Sequence, residues 1–236
     1  MTDPVLELTD IDGGYGDIQV LDGLSMYLDA EEIVCLIGPN GAGKSTVLKT
    51  VFGLLSPWTG QIRYRDAEIG GMDPEDIVRL GIGYVPQTQN VFGSLSVEEN
   101  LRMGGVALDG DVDPVVEELC DRFPLLAEKR DATAATLSGG QRQILALARA
   151  LVVDPDVLLI DEPSAGLAPS TAADVFEDVV TINETGTAVL MVEQNATRGL
   201  SIADRGYVLD QGSVRYEGQA DSLLDDEEVA KLYLGE

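Results

Sequence analysis

The chain of 236 residues contains no histidine. None of its side chains can therefore carry a proton near neutral pH as an unperturbed imidazole does. Lysine is scarce too: Lys44, Lys49, Lys129 and Lys231 are the full set, and Lys plus Arg total 15 against 42 Asp plus Glu. A net charge of −27 leaves no basic stripe to follow a phosphate backbone, which excludes nucleic acid as a partner of the general surface. The two cysteines, Cys35 and Cys120, lie far apart with no metal-ligand spacing. Cys35, inside IVCLIG, reads as a small buried hydrophobe. No apolar run approaches the ~20 residues of a membrane span. The opening MTDPVLELTD has no charged-then-apolar leader, so no signal peptide is expected. A soluble chain in a reducing compartment is the expectation.

Apolar residues are not among the shortages. They make up 44% of the chain and are patterned, which rules out the disorder that high net charge otherwise suggests. The length suits one large domain, or one domain with a small insert. An acidic, lysine-poor surface resembles that of proteins from salt-accumulating halophiles, where screening shrinks the cost of self-repulsion.

VLELTDIDGGYG and QVLDGLSMYLDAEE alternate apolar with polar residues and predict short antiparallel strands, with turns at Gly13-Gly14 and Asp22-Gly23. IVCLIG predicts a buried strand, STVLKTVFGLL a helix, GQIRYRDAEI more short strands, PEDIVRLG a helix and GIGYVPQ a strand. From Gln87 to about Leu137 the pattern turns helical, in LSVEENLRMGG, DPVVEELCDRFP and LLAEKRD. SGGQRQILALARALVV predicts a long helix with Ser138 at its cap. Strands VLLIDEP and TAVLMVEQ then alternate with helices TAADVFEDVVTINETG and ATRGLSIAD, before a hairpin RGYVLDQGSVRYEG and a final acidic helix. Strands alternating with helices predict an α/β core with a mostly parallel sheet.

Three motifs carry chemistry. GPNGAGKS, Gly38 to Ser45, matches GxxxxGK(S/T) between a predicted strand and a predicted helix. Gly38, Gly41 and Gly43 let backbone N–H groups turn inward around a phosphate, and the helix that follows points its positive end there. Lys44 reaches the terminal phosphates and Ser45 can ligate magnesium. Pro39, Asn40, Ala42 and Thr46 complete the nucleotide-binding stretch. In LLIDEP an apolar strand ends in two acids: Asp161 is placed to hold magnesium and Glu162 to polarise an attacking water. LSGGQ, Leu137 to Gln141, is the most specific of the three. Ser138, the N–H groups of Gly139 and Gly140, and Gln141 form a second phosphate-binding helix end. Two such ends in one chain suit a pair of subunits, head to tail, each covering the nucleotide of the other.

With LSGGQ behind the phosphate loop, the chain resembles an ATP-binding cassette subunit over nearly all its length. The resemblance implies a P-loop NTPase core of mostly parallel sheet, residues 1–87 and 138–236, with an N-terminal antiparallel β subdomain and an inserted helical subdomain, 88–137. It implies ATP and Mg²⁺ as cofactors, and an adenine stacked on Tyr15. It implies that Gln87 touches the magnesium and senses the membrane partner. SAGLAP, Ser164 to Pro169, falls where the family usually has SxGLD, so Ala168 replaces an aspartate and one cross-subunit contact. At Gln194, ending TAVLMVEQ, the family usually presents a histidine to the γ-phosphate. An amide can donate a hydrogen bond there but carries neither proton nor charge, which leaves hydrolysis on Glu162 with Gln194 as positioning donor. VEQNA, GLAP, VFGSLSVEENLRMG and the ending LYLG together resemble the ATPase subunits of branched-chain amino-acid importers. A related urea-importer ATPase also carries VEQ. The implied partners are a second ATPase subunit, permease subunits and indirectly a substrate-binding protein, with the chain peripheral on the cytoplasmic face of the membrane. The rivals are a cassette ATPase of DNA repair or translation, which needs coiled coils or basic arms absent here, and a nucleotide-binding module without turnover, against which Glu162 and LSGGQ argue.

Overall fold

The computed structural model describes residues 4–108 and 110–234. The first three residues and Gly235 of LYLG lie outside them. In chain order the elements are β1 (Leu6–Tyr15), β2 (Ile18–Leu28), β3 (Ile33–Ile37), α1 (Lys44–Val51), β4 (Thr59–Tyr64), β5 (Ala67–Glu68), α2 (Pro74–Arg79) and β6 (Ile82–Val85). Then come α3 (Val97–Gly104), α4 (Asp113–Arg122), α5 (Pro124–Glu128), α6 (Gly139–Leu151), β7 (Val157–Asp161), α7 (Pro169–Glu184), β8 (Ala188–Val192) and α8 (Ala196–Leu200). The last described elements are β9 (Arg205–Asp210), β10 (Ser213–Gln219), α9 (Ala220–Leu224) and α10 (Glu227–Val229), which runs on into a π-helical turn, Ala230–Leu234.

Two sheets result. A four-stranded antiparallel sheet runs β2-β1-β4-β5, and a six-stranded sheet runs β10-β9-β3-β8-β7-β6, parallel except for β10. Strands β3, β7 and β8 are buried along their whole length, as expected where both faces of a parallel sheet are covered. Their side chains divide by parity. Val34, Leu36, Leu159, Leu190 and Val192 join the core shared with α1 and the antiparallel sheet. Cys35, Ile37, Leu158, Ile160, Val189 and Met191 join the core shared with the helices of the other face, α6 and α7 among them. Cys35 is fully buried, a small hydrophobe in the helix-side core.

The turn expected at Gly13-Gly14 is not a turn. Both glycines lie inside β1, at register shifts against β2, and the hairpin reverses at Gly16 and Asp17. Asp22 and Gly23 likewise lie within β2, where Gly23 has φ +57° and its N–H donates to Asp12 Oδ1 at 2.9 Å. Glycine pairs in a strand can mark bulges as well as turns, and here the pairing of β1 with β2 resumes on either side of them while the in–out alternation slips. The closing acidic helix is broken in two. Asp226 accepts from the N–H groups of Glu228 and Val229 at 2.9 Å each, restarting the chain as a new helix.

Between β6 and α6 the chain is helical. α3 opens with a full capping box, Ser96 with Glu99, and Arg130 ties the region together by bonding Glu98 and Glu117. Among the described residues no helix is long and apolar enough to cross a membrane.

Candidate active site

The phosphate loop leaves the C-terminal end of β3, where a parallel sheet opens its crevice. The loop is held from the outside: Gly212 N–H donates to Ala42 O at 3.0 Å, and Asp22 N–H to Gly212 O at 3.0 Å. Gly38 has φ +147°, and a Cβ there would stand 2.1 Å from Leu209 O. Only glycine lets the loop pass this close to β9. α1 begins after Gly43 without a side-chain cap, so its first N–H groups are left for a ligand. The Lys44 ammonium lies inside the loop, donating to Gly38 O at 2.7 Å and Pro39 O at 3.1 Å. Burial lowers its pKa, while Glu162 and Asp161 nearby act to keep it charged. A cleft of about 280 Å³ is lined by Tyr15, Asn40, Gly41, Lys44, Thr46 and Glu162, with Ser45 among its walls.

Both acids of LLIDEP reach this loop. Ser45 Oγ donates to Asp161 Oδ1 at 2.8 Å, and Gln87 Nε2 donates to Glu162 Oε2 at 2.6 Å. Burial raises the pKa of Asp161, opposed by the Ser45 hydrogen bond and by Lys49 and Lys44. Burial also raises Glu162, with Lys44 pulling it down and Asp161 pushing it up. Glu162 takes φ +46°, an uncommon conformation for a non-glycine residue and one enriched at functional sites. Among the described residues no three acids or cysteines converge as an all-protein metal cage. Ser45, Asp161 and Gln87 instead supply a few oxygen donors beside a phosphate loop, a set that fits an ion such as Mg²⁺, which keeps waters and phosphate oxygens as its other ligands.

Ser138, Gly139, Gly140 and Gln141 lie elsewhere, at the start of α6 and outside the walls of the phosphate cleft. Ser138 Oγ accepts from Gln141 N at 3.3 Å while Gln141 Oε1 accepts from Ser138 N at 3.0 Å. This capping box occupies Gln141 within the helix but leaves the Ser138 hydroxyl proton free to donate outward. A Cβ on Gly140 would stand 2.1 Å from Thr171 Cγ2, so α6 packs closely on α7 there.

Gln194 is exposed at the end of β8 and lines a second cleft, of about 380 Å³, with Ser164, Ala165, Gly166 and Asn195. It is not part of the wall around Lys44. Its neighbour Glu193 is buried and accepts from both Ser164 N and Ser164 Oγ at 3.0 Å. Sequence reading passed over Glu193, although an acid at the end of an all-apolar strand is the signal that singled out Asp161. It also passed over Lys49, whose Nζ lies 5.8 Å from the centre of the Tyr15 ring and 3.4 Å from its hydroxyl. Asn90, donating to Gln143 Oε1 at 2.8 Å, ties the segment after Gln87 to α6.

Comparison with known proteins gives the same outline. The family profile described as ABC transporter matches residues 21–165. The chain is 43% identical over 222 residues to the high-affinity branched-chain amino acid transport ATP-binding protein BraG of Pseudomonas aeruginosa, covering 94% of this chain and 95% of that one. It is 39% identical to the probable branched-chain amino acid transport ATP-binding protein LivF of Archaeoglobus fulgidus, covering 98% and 99%. The crystal structure of an ATP-binding cassette of an ABC transporter in its ADP conformation superposes with a TM-score of 0.88 at 28% identity, over 100% of both chains.

Proposed function

Because this chain belongs to the ABC transporter family, we propose that it is the ATP-hydrolysing subunit that drives uptake of branched-chain amino acids. The observation that carries the catalytic half is the convergence of Lys44, Ser45, Asp161, Gln87 and Glu162 on one phosphate loop. The substrate half rests on two relatives, 43% and 39% identical, whose names both specify branched-chain amino acid transport.

The geometry supports a division of labour. The phosphate loop and the uncapped N-terminus of α1 bind the phosphates, with Lys44 at their charged end. Ser45 and Asp161 would hold Mg²⁺, with Gln87 beside them, and the ion would supply charge neutralisation on the phosphates. Glu162, beside Lys44 and partly buried, is the group that polarises the attacking water. Gln87 donates to the same carboxylate. Tyr15, 44% exposed, offers an open ring face to adenine, braced by Lys49. Gln194 donates to the γ-phosphate once two subunits close head to tail, with Ser138, Gly139 and Gly140 completing the opposite subunit's site. The 88–137 region faces the permease: Phe92, Met103 and Val106 are exposed around an apolar groove of about 240 Å³ that also includes Tyr84 and Arg149, the kind of surface that marks a protein contact. The chain is thus peripheral, on the cytoplasmic face.

The test is transport. The chain, co-purified with its permease in vesicles and supplied with binding protein, is expected to drive ATP-dependent accumulation of labelled leucine, isoleucine and valine but not urea. Accumulation of urea, or ATP turnover with no amino-acid uptake, would overturn the substrate assignment.

A further inference from the structure

Glu193 directly follows the entirely buried strand β8 and is itself 1% exposed. A carboxylate in such a place is costly unless its oxygens are satisfied. Four donors supply this: Ser164 N to one oxygen at 3.0 Å, and Ser164 Oγ at 3.0 Å, Gln194 N at 3.1 Å and Asn195 N at 3.4 Å to the other. The donors come from two segments. Ser164 follows two residues after Glu162, and Gln194 and Asn195 begin the loop after β8. The stem of Glu193 is fixed as well, because α8 packs at Gly199, where a Cβ would stand 3.0 Å from Glu193 Cβ and 2.6 Å from Cys35 Sγ.

We infer that Glu193 is a positioning residue for ATP hydrolysis, its carboxylate tying the segment that follows Glu162 to the loop that presents Gln194, so that the two sides of the reacting phosphate are set as one unit. The inference rests on the reading of Glu162 as the group that polarises water. An amide cannot replace the carboxylate, since its NH₂ would face donors and one or two of the four bonds would be lost. A clamp of this kind acts on turnover rather than on ATP affinity, because neither loop contributes to the walls around Lys44 apart from Glu162 itself.

The test compares the parent, Glu193→Gln, Ser164→Ala and the double variant in the full chain, by steady-state phosphate release, ATP affinity and amide hydrogen exchange. For Glu193→Gln, kcat is expected to fall on the order of tenfold or more, with ATP affinity within about twofold of the parent. Exchange should rise in peptides covering both 162–166 and 193–197, and stay unchanged across 38–46. The double variant should be no slower than Glu193→Gln alone, since both changes break the same link. Parent-like kcat, a parallel loss of ATP affinity, or exchange rising on one side only would overturn the clamp. Should Glu193→Gln fail to fold, Ser164→Ala decides: raised exchange in 193–197, across the link from the substitution, supports the clamp, and unchanged exchange refutes it. A parent enzyme without turnover would fault the reading of Glu162 instead, and the exchange data would still decide whether the two loops are tied.

Discussion

Gly38→Ala isolates the steric reason for the shape of the phosphate loop. A Cβ at this position would stand 2.1 Å from Leu209 O and 3.1 Å from Leu209 C. Neither atom is the end of a flexible side chain, so the loop or β9 has to move, by roughly 1 Å to restore ordinary contact. The backbone also takes φ +147°, a region that costs a non-glycine residue about 1–3 kcal/mol. Adding overpacking of a further 1–3 kcal/mol gives about 2–6 kcal/mol in all. At roughly 2–4 °C per kcal/mol for a chain of this size, the melting temperature should fall by at least about 4 °C. ATP binding should suffer more than stability, because Gly38 O accepts from Lys44 Nζ at 2.7 Å and any shift of the loop carries the ammonium with it. Gly41→Ala is the control: φ is +83° there, but a Cβ would meet nothing within 4 Å, so strain acts without a clash. Thermal melts and nucleotide titrations on both variants measure the contrast. If Gly38→Ala melts and binds ATP like the parent, the close passage of the loop against β9 does not shape the site.

Three further outcomes follow from the same geometry. Gln194→Ala should lower kcat by about ten- to a hundredfold if its amide bonds a charged phosphate in the transition state, the equivalent of about 1.5–3 kcal/mol; Gln194→His should keep activity and add a pH limb near the imidazole range, and parent-like turnover of the alanine variant would reduce Gln194 to a strand cap. The pH–rate profile of the parent should carry an acid limb from Glu162. Burial raises its pKa above the ordinary glutamate value, and the base acts ionised, so the rate should fall with decreasing pH earlier than for a solvent-exposed glutamate; a limb at or below the ordinary range would deny Glu162 the role. With a net charge of −27, melting temperature should climb between low and molar KCl as screening relieves self-repulsion, and a flat curve would set aside the comparison with salt-adapted proteins.

Much of this architecture is written in local pattern. The apolar runs IVCLI, VLLID and AVLMV are short enough to be strands and apolar enough to be buried on both faces, and they form the adjacent centre of the parallel sheet. GPNGAGKS carries its own geometry, because a strand, three glycines and a helix start leave few conformations open. The hairpin turn was misplaced because Gly13-Gly14 and Asp22-Gly23 look locally like turns; only pairing between β1 and β2 turns them into bulges. Links between distant positions were not legible. Gln87 meets Glu162 across 75 residues, Ser164 meets Glu193 across 29, and Lys49 meets Tyr15 across 34. No periodicity encodes such pairs, since the sheet order brings them together. Gln194 shows the opposite case: its motif is readable in the sequence, yet it lines a cleft apart from the walls around Lys44.

The most direct test of the central claim is phosphate release from Mg·ATP by the purified chain beside its Glu162→Gln and Lys44→Ala variants, with ATP binding and assembly state measured on the same samples. The parent is expected to release phosphate. Glu162→Gln is expected to bind ATP and accumulate as a dimer without turnover, since the phosphate loop and the Ser138–Gly140 helix end are both intact, and Lys44→Ala is expected to lose ATP binding. Turnover by Glu162→Gln at the parent rate, or undiminished ATP affinity in Lys44→Ala, would contradict the account.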